Sequence, residues 1–248
     1  MSLSKNEIKL VKSLQLKKYR ELNRLFVVEG VKLVEELFEQ STFKIDGIFH
    51  TPEFEGKIPG TVHAFPISNA ELQRISGLKN PNKVLAVVKY PEPSNINFNE
   101  ENLVLLLDNV NDPGNLGTII RTADWFGVKQ IIASESTVDL FNPKVIQSSM
   151  GAVYRIQYHR LNLTEVCDDL RSNGFRILGA DLDGKNVHTT LIDAKTALMM
   201  GSESHGISSQ LKELLDDAIT IPQFGQTESL NVAMAAGIIM SHYRQSVK

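Results

Sequence analysis

Apolar and polar residues alternate along the chain in two different rhythms. In the first third, LFVVEGVKLVEELFEQ reads as a short strand, a glycine turn and an amphipathic helix with Val31, Val34, Leu37 and Phe38 on one face. IDGIFH and VLAVVKY read as further strands, and SNAELQRISG opens on a helix-starting serine with Glu71 three positions later. These segments predict a small α/β domain over residues 25–90. PEPSNINFNEEN, residues 91–102, is polar, proline-bearing and aperiodic, and reads as a linker. From residue 103 the rhythm becomes regular: the apolar runs LVLLLD, KQIIAS, YRIQYH, FRILGAD, TALMMG and AITIP alternate with the helical segments GTIIRTADWF, TEVCDDLRSN, SQLKELLDD and LNVAMAAGIIMSHYR. Continuous apolar strands alternating with helices predict an α/β domain over 103–248, with a mostly parallel sheet covered on both faces and ligands held beyond the carboxyl ends of the strands.

Composition narrows the class without naming it. With 42% apolar and 22% charged residues, the chain matches ordinary globular proteins, which excludes a disordered or fibrous one. No apolar run approaches the roughly 20 residues of a membrane span, and MSLSKNEIKLVKSLQLKKYR lacks the apolar core of a signal peptide, so a cytoplasmic protein is expected. The single cysteine, Cys167, excludes an intrachain disulfide and reads as buried filler. His50, His63, His159, His188, His205 and His242 show no ligand spacing, so no metal is expected. The net charge of −3 hides an uneven distribution: residues 1–24 carry seven Lys or Arg against two Glu, leaving an acidic remainder. This basic N-terminal arm reads either as a phosphate-contacting element or as the solvated face of a first helix.

Three strand-to-helix turns carry more small and polar residues than a plain connection needs. In NDPGNLG, residues 111–117, Pro113 and Gly114 make a turn, Asn115 suits an N-cap and Gly117 permits close backbone approach. Leu116, Ile119, Ile120 and Ala123 then form a core-facing stripe that leaves Arg121 outside it, either free to act or paired with an acid such as Asp124. GSESHGIS, residues 201–208, places Glu203 and His205 at the end of a buried strand, with Ser208 or Ser209 as a helix cap. IPQFGQTESLNVAMAAG, residues 221–237, offers Ser229 as an N-cap and brackets Leu230 with Ser229 and Asn231. Taken singly, each is a turn as readily as a site.

Taken in order, the three turns resemble the motifs of the SpoU (TrmH-like) family of RNA ribose 2′-O-methyltransferases in the SPOUT class. NDPGNLGTIIRTADWFG is similar to the first motif, MGSESHGIS to the second and IPQFGQTESLNVAMAAG to the third. A looser likeness, carried by FVVEGVKLVEEL and NKVLAVVKY, links the smaller domain to the ribosomal-protein-like substrate-binding domain of many family members. The resemblance implies a deep trefoil knot in the C-terminal domain, a homodimer and S-adenosylmethionine as cofactor. Its substrate would be RNA, with ribosomal RNA favoured over transfer RNA. It marks Arg121 as catalytic, with Asn115, Glu203, Ser229 and Asn231 around it, and Met200, Gly201, Ile221, Leu230 and Ala180 as cofactor-binding positions. His205 is not a fixed motif position, and Phe126 reads as core.

Two other classes compete. A non-catalytic RNA-binding protein on the same fold would have no need of all five site residues. A dinucleotide-dependent oxidoreductase would carry G-x-G-x-x-G in the first turn, which this chain lacks.

Overall fold

The computed structural model describes residues 3–98 and 102–247. Residues 1 and 2 of the arm, 99–101 of the linker, and 248 lie outside them. Contacts divide the chain into two compact units, one formed by residues 1–93 and 139–154, the other by 94–138 and 155–248.

The first unit begins with α1 (Lys5–Ser13) and α2 (Lys17–Asn23). It continues through β1 (Leu25–Glu29), α3 (Val31–Phe38), β2 (Ile45–His50), β3 (Ala64–Pro66), α4 (Asn69–Ile75) and β4 (Val84–Lys89). The sheet runs β1-β4-β2-β3, antiparallel except where β3 pairs with β2. Gly30 makes the turn from β1 into α3 at φ 99°, a backbone conformation side chains disfavour. Both α1 and α4 open on reciprocal caps: Ser4 with Glu7, and Ser68 with Glu71. Glu71 also accepts from the Leu3 N–H at 3.0 Å. These backbone donors from Ser68 and Leu3 hold its carboxyl at about 2, well below the usual range. Val11, Leu14, Leu72 and Ile75 pack with Val27, Phe49, Leu85 and Val87 of the sheet.

Residues 139–154 close this unit although they lie far along the sequence. Phe141 stacks on Phe26 of β1 at 4.4 Å, and the Tyr154 hydroxyl donates to the Leu33 carbonyl at 3.2 Å. Arg20, in the basic arm, is 1% exposed. Its guanidinium bonds Asp139 at 2.6 and 3.0 Å and donates to the carbonyls of Leu14 and Gln15. One cation of the arm is therefore structural; Lys5, Lys9 and Lys12 lie on the exposed side of α1.

The second unit contains β5 (Leu103–Leu107), α5 (Pro113–Trp125) and β6 (Gln130–Ala133). After α6 (Pro143–Ser149), which belongs to the first unit, the chain continues through β7 (Gln157–Arg160), α7 (Leu163–Ser172) and β8 (Arg176–Asn186). It ends with β9 (Thr196–Met200), α8 (Ser209–Lys212), β10 (Asp217–Thr220) and α9 (Val232–Ser246). The strand order is β10-β8-β9-β5-β6-β7, and every pairing is parallel. The order reverses between β5 and β9, and that is where a parallel sheet opens a crevice for ligands.

Both faces are covered, as the continuous apolar strands require. Val104, Leu106, Ala197 and Met199 pack with Val166, Cys167 and Leu170 of α7 and Leu211 of α8. Alternate strand residues point to the other face, where α5 and α9 pack on each other. Burial pushes the Cys167 thiol up to about 11, as expected of apolar filler. Residues 91–98 have no regular structure, but Ile96 and Phe98 are anchored on the second unit's core, with Phe98 edge-on to Phe175 at 5.9 Å. SQLKELLDD contributes only one helical turn, α8.

Candidate active site

The first turn is built by an aspartate ahead of a proline. Asp112 caps α5, its Oδ1 accepting from Asn115 N at 2.9 Å, and Pro113 occupies the first helical position. Proline is suited to that position because the N–H it lacks would be unpaired there. The sequence reading assigned this cap to Asn115, but Asn115 sits three positions inside the helix and its side chain is released for another purpose. Its Nδ2 donates to Glu203 Oε1 at 2.7 Å, and its Oδ1 accepts from Asn231 Nδ2 at 2.8 Å. A carboxylate can only accept, so the Asn115 amide has its nitrogen toward Glu203 and its oxygen toward Asn231.

Asn231 ends the relay and begins α9. Its Oδ1 accepts from the N–H groups of Ala233 (2.9 Å) and Met234 (3.3 Å), so the helix cap is Asn231 rather than Ser229. Cap and relay use opposite ends of one amide, which fixes the side chain from both sides. Glu203, Asn115 and Asn231 thus join the three turns directly, at the carboxyl ends of β9, β5 and β10. Ser229 is exposed and makes no hydrogen bond among the described residues.

The second turn is tightly closed. Ser202 and Gly206 exchange main-chain hydrogen bonds at 2.9 and 3.0 Å, and the Ser202 hydroxyl accepts from His205 N. A Cβ on Gly201 would lie 2.0 Å from the Gly206 carbonyl carbon and 2.1 Å from Ile207 N, so only glycine fits. Asp108, just past β5 and 6% exposed, accepts from Ser208 N at 2.7 Å while its own N–H donates to the Met200 carbonyl at 2.9 Å. This carboxylate fastens the first strand's end to the second turn. Sequence reasoning took it as the end of the strand LVLLLD; an acid terminating an otherwise apolar run was the available signal.

The third turn, residues 221–231, has no regular structure and is shaped by Gln223, whose amide donates to the carbonyls of Gly225 (3.1 Å) and Thr227 (2.6 Å). Among the described residues, the main-chain groups of Ile221 and Leu230 make no hydrogen bond, and the Leu230 side chain is 46% exposed. Unpaired main-chain donors and acceptors beside an apolar side chain suit a nucleoside, whose flat apolar base carries a polar edge. Met200 is buried at the end of β9. Ala180 is half-buried where β8 leaves the ladder, the register with β10 jumping from Gly179 to Lys185. The residues present therefore fit an adenosyl group.

Arg121 stands apart from the relay. It lies six residues beyond Asn115 on α5, about 9 Å along the axis and on another face. It is exposed and makes no hydrogen bond or ion pair among the described residues. The partner that spacing offers it, Asp124, is taken by Arg155 in a forked pair at 2.8, 3.0 and 3.2 Å. Arg155 and Arg244, which donates to the carbonyls of Phe126 (2.6 Å) and Gly127 (2.9 Å), both hold the end of α5. Neither was legible as part of the site, because each comes from a segment distant in sequence. No group of three or more His, Cys, Asp or Glu is placed to hold a metal among the described residues.

Comparison with known proteins agrees with this geometry. The SpoU rRNA methylase family pattern matches residues 102–241, and that of an MRM3-like substrate-binding domain matches residues 5–86. The chain is 33% identical to the 23S rRNA (guanosine(2553)-2′-O)-methyltransferase RlmP of Bacillus subtilis, covering 98% of each protein. A TrmH-family protein from Porphyromonas gingivalis superposes with a TM-score of 0.89 at 36% identity over 98% of both chains. An AdoMet-bound rRNA methyltransferase from Sinorhizobium meliloti superposes at 0.87 with 28% identity, covering 100% of this chain and 98% of that one. Three joined turns at the ends of a parallel sheet and a match across both units lead to one assignment: the chain belongs to the SpoU rRNA methylase family.

Proposed function

We propose that the protein transfers a methyl group from S-adenosylmethionine to a ribose 2′-hydroxyl of RNA, and that the RNA is ribosomal. The observation that carries this reading is the Glu203–Asn115–Asn231 relay, which ties together the three turns that the family uses for substrate and cofactor. The ribosomal preference is supported by the B. subtilis relative, whose name specifies 23S rRNA.

S-adenosylmethionine supplies an electrophilic methyl group on a sulfonium. The chain's own residues then have two tasks: to hold the ribose oxygen in line with it, and to make that weak nucleophile competent. Main-chain groups of Met200, Gly201, Ile221 and Leu230, with Ala180 beside them, bind the cofactor. Asn115 orients the ribose, Glu203 orders the second turn through Asn115, Asn231 fixes the third turn, and Ser229 with Asn231 contacts the substrate. Arg121, a guanidinium with no ion-pair partner among the described residues, binds RNA phosphate and stabilises the developing alkoxide rather than removing a proton.

The remaining assignments follow the same reading. Residues 1–24 and 25–90 engage RNA, with Lys5, Lys9 and Lys12 on the exposed side of α1 supplying phosphate contacts; residues 91–102 link them to a methyltransferase domain over 103–248. That domain is knotted, and it pairs with a second copy of the chain. The pairing is supported by the exposed apolar side chains Trp125 and Met234, 85% and 62% exposed, the latter in a cleft of about 420 Å³ that mixes Phe126 and Ile238 with His188, Ser241, His242 and Gln245. The reaction takes place in the cytoplasm, alongside its RNA.

The test is transfer of labelled methyl to unmodified ribosomal RNA and, separately, transfer RNA, with Arg121→Ala as control. Label in ribosomal RNA that protects one linkage from alkali and disappears in the variant supports the reading. Label in transfer RNA alone moves the substrate, cofactor binding without transfer to either points to a missing substrate form or partner, and no cofactor binding at all favours a non-catalytic RNA-binding role.

A further inference from the structure

Arg121 has a carboxylate as a near neighbour on its own helix and yet is not paired with it. Arg121 and Asp124 lie three residues apart on α5, a spacing that makes their side chains adjacent on the helix surface. An aspartate in the last turn of a helix is unfavourable by itself, because the negative end of the helix dipole lies there, so Asp124 needs a cation. Two arginines compete for it. Arg155 prevails with a fork: Nε reaches both carboxylate oxygens at 3.0 and 3.2 Å, and Nη2 one of them at 2.8 Å. A forked arginine–carboxylate pair is stronger and more directional than the single contact an i, i+3 neighbour makes.

We propose that Arg155 is a positioning residue that keeps Arg121 available to RNA by occupying Asp124. The inference rests on the reading of Arg121 given above. A purely mechanical role for the pair, pinning the end of α5, is already filled by Arg244 through the carbonyls of Phe126 and Gly127 and by the packing of α5 on α9. What Arg155 adds is charge. With it in place, Asp124 is neutralised and Arg121 presents its full charge to a phosphate or an emerging alkoxide. Without it, Asp124 turns to Arg121, cancels part of that charge, and repels the phosphate. A helix-surface pair and an uncompensated charge within several ångströms together correspond to a change of about threefold to tenfold.

The experiment compares Arg155→Ala, Asp124→Asn and the double variant in the full-length protein, reading kcat and KM for RNA together with the Nε–Hε signal of Arg121 by NMR without RNA. Arg155→Ala is expected to lower kcat/KM by about threefold to tenfold and to shift the Arg121 signal, as it gains a partner. Asp124→Asn alone is expected to leave both within about twofold of the parent, and adding it to Arg155→Ala is expected to restore both, since no carboxylate remains to capture Arg121. If Asp124→Asn costs as much as Arg155→Ala and the double variant is not restored, the pair only braces the helix and the proposal is overturned. An Arg121 signal unmoved by Arg155→Ala overturns it as well, whatever the activity. Failure of the underlying reading looks different: Arg121→Ala would retain full turnover while the NMR pattern held.

Discussion

Each unit contains an arginine–aspartate pair, and the two could hardly be more differently placed. In the first unit, Arg20 and Asp139 meet at 2.6 Å with side chains 2% and 10% exposed; in the second, Arg155 and Asp124 meet at 2.8 Å with 41% and 29%. The bond lengths are nearly equal and the consequences are not. A charge withdrawn from water must keep its partner, so the buried pair locks distant segments into one fold. A charge that water still reaches gains little stability from pairing, and its effect falls on which neighbouring charge is left free. Burial, rather than contact distance, separates the structural pair from the one proposed to govern Arg121.

The sharpest way to test the contrast is to remove the cation the exposed pair leaves free. Arg121→Ala is expected to lower methyl transfer by about 100-fold or more, with cofactor affinity, read by calorimetry, and thermal midpoint nearly unchanged. Asp139→Ala should do the reverse. Leaving Arg20 buried without its carboxylate costs about 3–5 kcal/mol, a fall of roughly 6–20 °C in midpoint for a chain of this size, with kcat per folded molecule at low temperature largely kept. Asn231→Ala lies between them: losing the cap costs about 1 kcal/mol, while losing the relay loosens the third turn, so cofactor affinity should weaken several-fold with a midpoint shift of a few degrees. The smallest effect is at Glu71. Its carboxyl is held at about 2 by the Ser68 and Leu3 N–H groups, below its value in the unfolded chain. Its contribution to stability is therefore complete above pH about 4.3 and is lost as pH falls toward 2. Glu71→Gln should flatten the acid limb of the stability profile in that window by lowering stability modestly at neutral pH and leaving it nearly unchanged near pH 2.

The sequence was most informative where structure is local. The strands of the second unit, the Ser68–Glu71 cap and the stripe Leu116, Ile119, Ile120 and Ala123 all follow from residues within a few positions of one another. Two caps were misread for a related reason: in NDPGN and SLN several residues could cap the helix, and the choice depends on which side chain is drawn off elsewhere. Asn115 is committed to Glu203, 88 positions away, so Asp112 caps. Arg20 looked like one more solvated charge in a basic arm, since the partner that buries it lies 119 positions downstream. No periodicity marks β3, three residues long at an exposed edge. Long-range pairing, which composition and rhythm do not encode, accounts for these misses.

The pairing across those 119 positions also orders events in time. Residues 1–93 leave the ribosome well before Asp139, Phe141 and Tyr154 exist, so the first unit is made without the segment that closes it. At about 5–20 residues per second, the 61 residues between positions 93 and 154 take roughly 3–12 s to add. Until Asp139 and Phe141 are added within that interval, Arg20 lacks its buried carboxylate and Phe26, already beside Phe43 and Tyr90, lacks the ring stacked on it at 4.4 Å. A protein whose N-terminal unit is sealed by a later stretch of its own chain must make the opening segment of its second unit, residues 94–138, before its first can close.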